Sequence, residues 1–244
     1  MLGLRHRPSP SASSAEFGGL RTRFEQDGYV KVERCFEPVE IAALRRESDR
    51  LCTETKELAP EIVWFSPAVD GGCIVQRISR TNWFSPLIQR FGAEHSAMRS
   101  ICASLLETES VQFADGHEGS DGTVLVVKDA RNASEHRKLR WHRDNHFTGH
   151  LQIDPFVNAG IYLDDSDADR GCLVVIPESH RVNNFDQELC ETTTYHAGEL
   201  NVCAQAGDLV IHHSALWHRS GAFTLPSGAR RILYFNYFVG RSTQ

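Results

Sequence analysis

Three absences frame this sequence. It holds no run of eighteen or more apolar residues, which excludes a membrane-spanning helix within it. It holds no C-x-x-C pair. Its seven cysteines, an odd number, are scattered as Cys35, Cys52, Cys73, Cys102, Cys172, Cys190 and Cys203. That pattern suits reduced thiols in the cytoplasm and argues against a zinc ribbon or a secreted disulfide framework. Nor is there an excess of basic charge: 26 Lys and Arg against 32 Asp and Glu leave a net charge of −6. That balance argues against a nucleic-acid binder that relies on phosphate attraction.

What remains is ordinary for a globular protein: 244 residues, 41% hydrophobic and 24% charged. A chain this long buries roughly three-quarters of its unfolded surface, enough for one core without staples. Residues 1–15, with Ser, Pro and Arg but no acid, read as a disordered tail, an organelle presequence being the weaker alternative. Residues 16–244 read as one domain. Phe17, Leu20 and Phe24 recur at helical spacing. A second helix follows Pro38, with Ile41, Leu44 and Leu51 on one face and Glu37 and Glu40 at its positive end. A third opens at Ser85-Pro86 and runs through Leu87, Phe91, Met98, Ile101 and Leu105, with a break expected at Gly92.

Beyond residue 111 the texture becomes β. Strands are expected at Thr123–Lys128, Trp141–Phe147, Val157–Leu163, Cys172–Ile176, Leu200–Cys203, Leu209–His213 and Arg231–Val239, parted by turns such as Asp121-Gly122, Arg170-Gly171 and Gly207-Asp208. Many short strands without intervening helices point to a sandwich or jelly roll with flanking helices.

The chemistry concentrates in three places. In WHRDNHF, residues 141–147, a strand would put His142, Asp144 and His146 on one face. GDLVIHHSALWHRSGAF, residues 207–223, supplies His212, His213 and His218. Two histidines and one carboxylate form the facial triad of non-haem iron(II) oxygenases, and His142, Asp144 and His218 could supply one. Arg230 and Arg231 open RRILYFNYF; a buried guanidinium needs an anion, and a dicarboxylate suits its planar fork. His212 and His213 read as strand residues satisfied by local hydrogen bonds, and His180 and Arg181 as residues that fix a loop. The acidic run DDSDADRG, residues 164–171, has the alternation of a calcium loop, but Ile176 stands where the bidentate acid belongs.

The order of these motifs resembles the phytanoyl-CoA dioxygenase family of iron(II)- and 2-oxoglutarate-dependent oxygenases. The resemblance rests on DGYVKVERCF (27–36), VLVVK ending at Lys128, WHRD (141–144), YLDDSDADRGCLVVIPESHR (162–181), GDLVIHHSALWHRSG (207–221) and RRILYFNYF. It implies a double-stranded β-helix (cupin-like jelly roll) and iron held by His142, Asp144 and His218. It further implies 2-oxoglutarate held by Arg230, with Arg231 in reserve, and by Ser220 and Lys128, and dioxygen as second cosubstrate. The expected reaction is oxidation, by default hydroxylation, of a C–H bond in a small-molecule substrate, with release of succinate and carbon dioxide. The retained Asp144 argues against halogenation. Rival readings are a cupin-like isomerase or hydrolase using zinc, and a non-catalytic binding protein of the same fold.

His146 faces either the substrate or the rim. The segment 128–143 holds Lys128, Arg131, Arg137, Lys138, Arg140 and Arg143 against Asp129 and Glu135, a local excess of four positive charges. Placed at the pocket mouth, these charges, Arg143 among them, would favour an anionic substrate; the alternative is a solvated loop that its charges keep exposed. The sequence is compatible with a monomer or a homodimer.

Overall fold

A computed structural model describes residues 14–117, 120–134, 138–147, 156–182, 186–190 and 192–239. Most of the expected N-terminal tail lies outside the described residues. The helices are α1 (Ser14–Asp27), α2 (Pro38–Thr53), α3 (Pro86–Glu94), α4 (Ser96–Leu105) and two single turns, α5 (Asp144–Phe147) and α6 (Gln187–Cys190). The strands are β1 (Tyr29–Val32), β2 (Val63–Pro67), β3 (Cys73–Ile78), β4 (Val111–Phe113), β5 (Val124–Asp129) and β6 (Leu139–His142). They continue with β7 (Phe156–Tyr162), β8 (Leu173–Val175), β9 (Leu200–Val202), β10 (Leu209–His213), β11 (His218–Ser220) and β12 (Ala229–Val239).

Two antiparallel sheets face each other. The larger runs β1-β10-β7-β12-β5-β3-β2, with β4 also on β12; the smaller runs β6-β11-β8-β9. Period-two alternation divides the cores. Leu209, Ile211, Leu233, Phe235 and Tyr237 face outward and pack under the helices with Leu44, Leu51, Ile88 and Met98. Val210 and Ile232 face inward and meet Leu173 and Val175 of the smaller sheet. Trp141, Val174 and Trp217 pack together in a separate cluster. This is the expected double-stranded β-helix with helices on one flank.

Two local expectations are corrected. The third helix breaks at His95, not Gly92: His95 Nδ1 accepts the Met98 amide at 3.3 Å and caps α4. Gly92 lies within α3, and glycine is required there because a Cβ would sit 2.5 Å from the Phe113 ring. The expected strand Trp141–Phe147 ends at His142, and Asp144 opens the turn α5. The Asn145 amide there donates to the Ser214 carbonyl at 3.1 Å, which draws the chain out of the ladder.

All seven cysteines are free thiols. No helix among the described residues is long and apolar enough to cross a membrane.

Candidate metal centre

His142 and His218 end and open neighbouring strands and are directly paired across β6 and β11. Asp144, two residues beyond His142, swings in from the first turn of α5. Its Oδ1 lies 3.8 Å from His142 Nε2 and 3.6 Å from His218 Nε2. One donor atom from each residue falls within 4.8 Å of the others. Each imidazole is pinned from behind: His142 Nδ1 donates to the Arg140 carbonyl at 2.8 Å, and His218 Nδ1 to the Leu216 carbonyl at 2.9 Å. With Nδ1 protonated, Nε2 carries the lone pair and points into the cluster, as a metal ligand requires.

The electrostatics agree. Burial pushes both imidazoles below their usual value. Burial pushes the Asp144 carboxyl up, but His218, His212 and His142 outweigh it and hold the carboxyl well below the carboxylate range. At neutral pH the cluster is two neutral imidazoles and one carboxylate, the protonation state that binds a divalent cation. These residues therefore fit an iron(II) ion.

A cationic corner lies on the inward face of the larger sheet, opposite the smaller sheet that carries His142 and His218. Arg230 on β12 is directly opposite Lys128 on β5, and both are buried. Arg230 Nη2 donates to the Gly171 carbonyl at 2.8 Å, and Lys128 Nζ to the Gly221 carbonyl at 2.5 Å. Among the described residues no carboxylate forms an ion pair with Arg230. Burial, then the Arg230 charge, brings the Lys128 pKa down to about 7. Two like charges directly opposite each other destabilise a sheet unless an anion joins them. Ser220 shares the inward face of β11 with His218, since their partners on β8 are the inward Leu173 and Val175. Arg231 turns outward, where its guanidinium holds Asp164 through two bonds of 2.8 and 3.0 Å and also pairs with Asp49. That engagement leaves it no fork for a cosubstrate.

Of the two expected substrate residues, His146 lies in the turn α5 rather than on a strand face shared with His142, and is exposed. Arg143 is buried; its Nη2 donates to the Ser179 and Val182 carbonyls at 2.9 Å, and its guanidinium lies 5.0 Å above the Trp217 ring. Those bonds tie it to the segment after β8. In the basic segment Arg131 pairs with Asp129; residues 135–137 lie outside the described residues. His180 and Arg181 bind the Glu25 carbonyl, which fixes that segment to α1. His213 accepts the Ala215 amide.

Arg77 and Asn158 went unread in the sequence, and His212, expected to be satisfied by local hydrogen bonds, bonds instead to Asp144, 68 residues away in the chain. Arg77 on β3 bears on His142, lowering its pKa; it is stacked 4.9 Å from the Trp64 ring and paired with Asp121. His212 and Asn158 both reach Asp144. Alternation in β10, with Leu209 and Ile211 turned to the helices, is the signal that turns His212 inward.

A jelly roll with two histidines and a carboxylate between its sheets defines a mononuclear metal site of the non-haem iron type. The chain belongs to the phytanoyl-CoA dioxygenase (PhyH) family, whose model matches residues 24–232. A relative from Stutzerimonas stutzeri, named a probable alpha-ketoglutarate-dependent hypophosphite dioxygenase, is 30% identical over 98 residues. That match spans only 34% of this chain and 34% of the relative. Among solved structures, AviO1 from Streptomyces viridochromogenes Tue57 superposes with a TM-score of 0.73 at 22% identity, over 95% of this chain and 99% of that one. The epimerase SnoN, in complex with Fe3+, alpha ketoglutarate and nogalamycin RO, gives a TM-score of 0.70 at 20% identity, over 93% of this chain and 85% of that one. At such identities the likeness to solved structures establishes the fold.

Proposed function

We propose that this protein is an iron(II)- and 2-oxoglutarate-dependent dioxygenase that hydroxylates a C–H bond of a small anionic metabolite. The observation that carries the reading is the His142–Asp144–His218 cluster on the smaller sheet together with the buried Arg230 and Lys128 on the inward face of the larger sheet. A zinc hydrolase or isomerase needs no dicarboxylate clamp. Iron(II), 2-oxoglutarate and dioxygen together supply the oxidation of the C–H bond, with succinate and carbon dioxide as co-products.

The protein's residues divide the remaining work. His142 and His218 offer Nε2, and Asp144 offers Oδ1, to the metal. Arg230 and Lys128 hold the distal carboxylate of 2-oxoglutarate, with Ser220 beside them. Trp141 and Trp217, packed in one buried cluster, stiffen the strands that carry His142 and His218. Arg77 is stacked on Trp64 and paired with Asp121, so an anionic substrate there would compete with that carboxylate. Hypophosphite, named for the Stutzerimonas relative, is an anion whose oxidisable bonds are P–H rather than C–H, and in a first screen its turnover would replace the C–H reading. SnoN shows that this fold also carries an epimerase, so substrate placement rather than the fold decides the outcome.

The test is succinate formation and oxygen uptake by purified protein with iron(II) and 2-oxoglutarate, without an added substrate. Slow succinate release that requires both supports the reading. Its absence, with zinc-dependent turnover of any substrate, would replace it by the hydrolase or isomerase.

A further inference from the structure

The two oxygens of Asp144 are treated differently by their surroundings. Oδ1 faces His142 and His218. Oδ2 receives Nε2–H of His212 at 3.0 Å and the Asn158 side-chain amide at 3.1 Å. Both donors come from a single cross-strand pair, for His212 of β10 lies directly opposite Asn158 of β7. One register position therefore delivers two hydrogen bonds to one oxygen. An ionised carboxylate only accepts, so the amide nitrogen of Asn158 and a protonated Nε2 of His212 are the groups that must face it.

That arrangement carries a cost. His212 is 1% exposed, and with its proton on Nε2 the lone pair sits on Nδ1, which is buried without a hydrogen-bond partner. The Asn158 Oδ1 is in the same position. Buried polar atoms of this kind are rare, and each destabilises the fold. Val210, two residues earlier on the same inner face, shows that an apolar side chain fills such a place without that loss. What the imidazole contributes, and an apolar ring could not, is the bond to Oδ2.

We propose that His212, with Asn158, is the positioning residue of the metal centre: it holds Asp144 by Oδ2 so that Oδ1 alone is presented to the cation. The inference rests on the iron reading given above. Asp144 stands on a single helical turn, not on a strand, so the backbone constrains its side chain less than the pinned imidazoles constrain theirs. A carboxylate free to turn can offer both oxygens to a metal and occupy a position that a chelating cosubstrate needs. His212 is not itself one of the ligands; the three donors that lie together are those of His142, Asp144 and His218.

The experiment measures iron(II) affinity of the metal-free protein anaerobically, by competition with a chromophoric chelator and without 2-oxoglutarate. His212→Phe keeps a ring and removes the donor; His212→Gln restores an N–H that can reach Oδ2; Asn158→Leu removes the second donor. The expected result is a 10- to 100-fold loss of affinity in His212→Phe, the range usual when a ligand's hydrogen-bond partner is lost. A smaller loss is expected in Asn158→Leu and recovery in His212→Gln, with the melting temperature of the metal-free protein not lowered in His212→Phe. Wild-type affinity in His212→Phe, or equal losses in the Phe and Gln variants, overturns the inference and leaves the iron reading intact. If His212→Phe does not fold, Asn158→Leu decides alone: unchanged affinity overturns the two-donor clamp. A wild-type protein that binds no iron overturns the iron reading, and this inference with it.

Discussion

Arg230→Met tests the cosubstrate corner most sharply, because it separates binding from stability. In the metal- and cosubstrate-free protein the Arg230 guanidinium is 2% exposed, bonded to the neutral Gly171 carbonyl at 2.8 Å, and faced by Lys128 across the ladder. Removing it relieves a buried like-charge opposition, so the free protein should melt at an equal or higher temperature. Binding of 2-oxoglutarate should weaken instead. A hydrogen bond to a charged partner contributes about 1.5–3 kcal/mol, and with ~1.4 kcal/mol per decade the loss is roughly 10- to 150-fold. Solvent screening does little to soften it at a site this buried. The Lys128 pKa should climb from about 7 in the same variant, since the Arg230 charge is one of the two causes that lower it. The assay is the KM for 2-oxoglutarate in succinate release, paired with calorimetric binding and a melting curve. Arg231→Ala serves as the control: its guanidinium is committed to Asp164 and Asp49, so it should lose stability while keeping cosubstrate affinity. Unchanged affinity in Arg230→Met, or a larger loss in Arg231→Ala, would refute the assignment.

Three further outcomes follow from the same geometry. His142→Ala, Asp144→Ala and His218→Ala should each abolish retention of iron while the circular dichroism spectrum stays that of the wild type; native iron content in any one removes that residue from the centre. The affinity for 2-oxoglutarate should fall as pH rises through about 7, because a dianion favours protonated Lys128 and that proton is lost there. Stability of the free protein runs oppositely. The folded pKa lies below the ordinary 10.5, so the unfolded state binds more protons between those values and stability rises with pH across that window. Lys128→Met should flatten both profiles, and a wild-type affinity flat from pH 6 to 9 would disprove the link. Gly171→Ala should lower both stability and cosubstrate affinity. Gly171 has φ +66°, and a Cβ there would lie 2.5 Å from the Gly221 carbonyl oxygen and 2.9 Å from Lys128 Cδ; normal 2-oxoglutarate binding in that variant would show that the corner tolerates displacement.

How much of this was legible in the sequence depends on whether the signal was local. The Ser85-Pro86 start is borne out because capping is read within four residues: Ser85 Oγ accepts the Ile88 amide at 3.2 Å. β7, β8, β9, β10 and β12 stood out for the same reason, their turns marked by Gly and Asp; β11, polar at all three positions, did not. β2 and β3 escaped because their surfaces are mixed. Trp64 and Phe65 are exposed on successive positions, and the ladder shifts register between them, so no clean alternation survives.

Arg230 and Arg231 show a different limit. β12 is buried on both faces, with Ile232 against the smaller sheet and Leu233 and Phe235 under the helices. A strand apolar on both sides does not announce which parity points inward, so the sequence left both arginines open; only Asp49 and Asp164, arriving from α2 and from the loop after β7, decide that Arg231 is the outer one. WHRDNHF fails in the opposite way, through a pattern that fits too well. His142 and Asp144 share a face in an ideal strand, yet the chain leaves the ladder between them. That departure lets the carboxylate come within reach of His212, 68 residues further along the chain. A period-two reading finds which residues a strand could align. It does not find the turn that brings a carboxylate to a partner on another strand, and here that partner is the residue on which the inference about Asp144 depends.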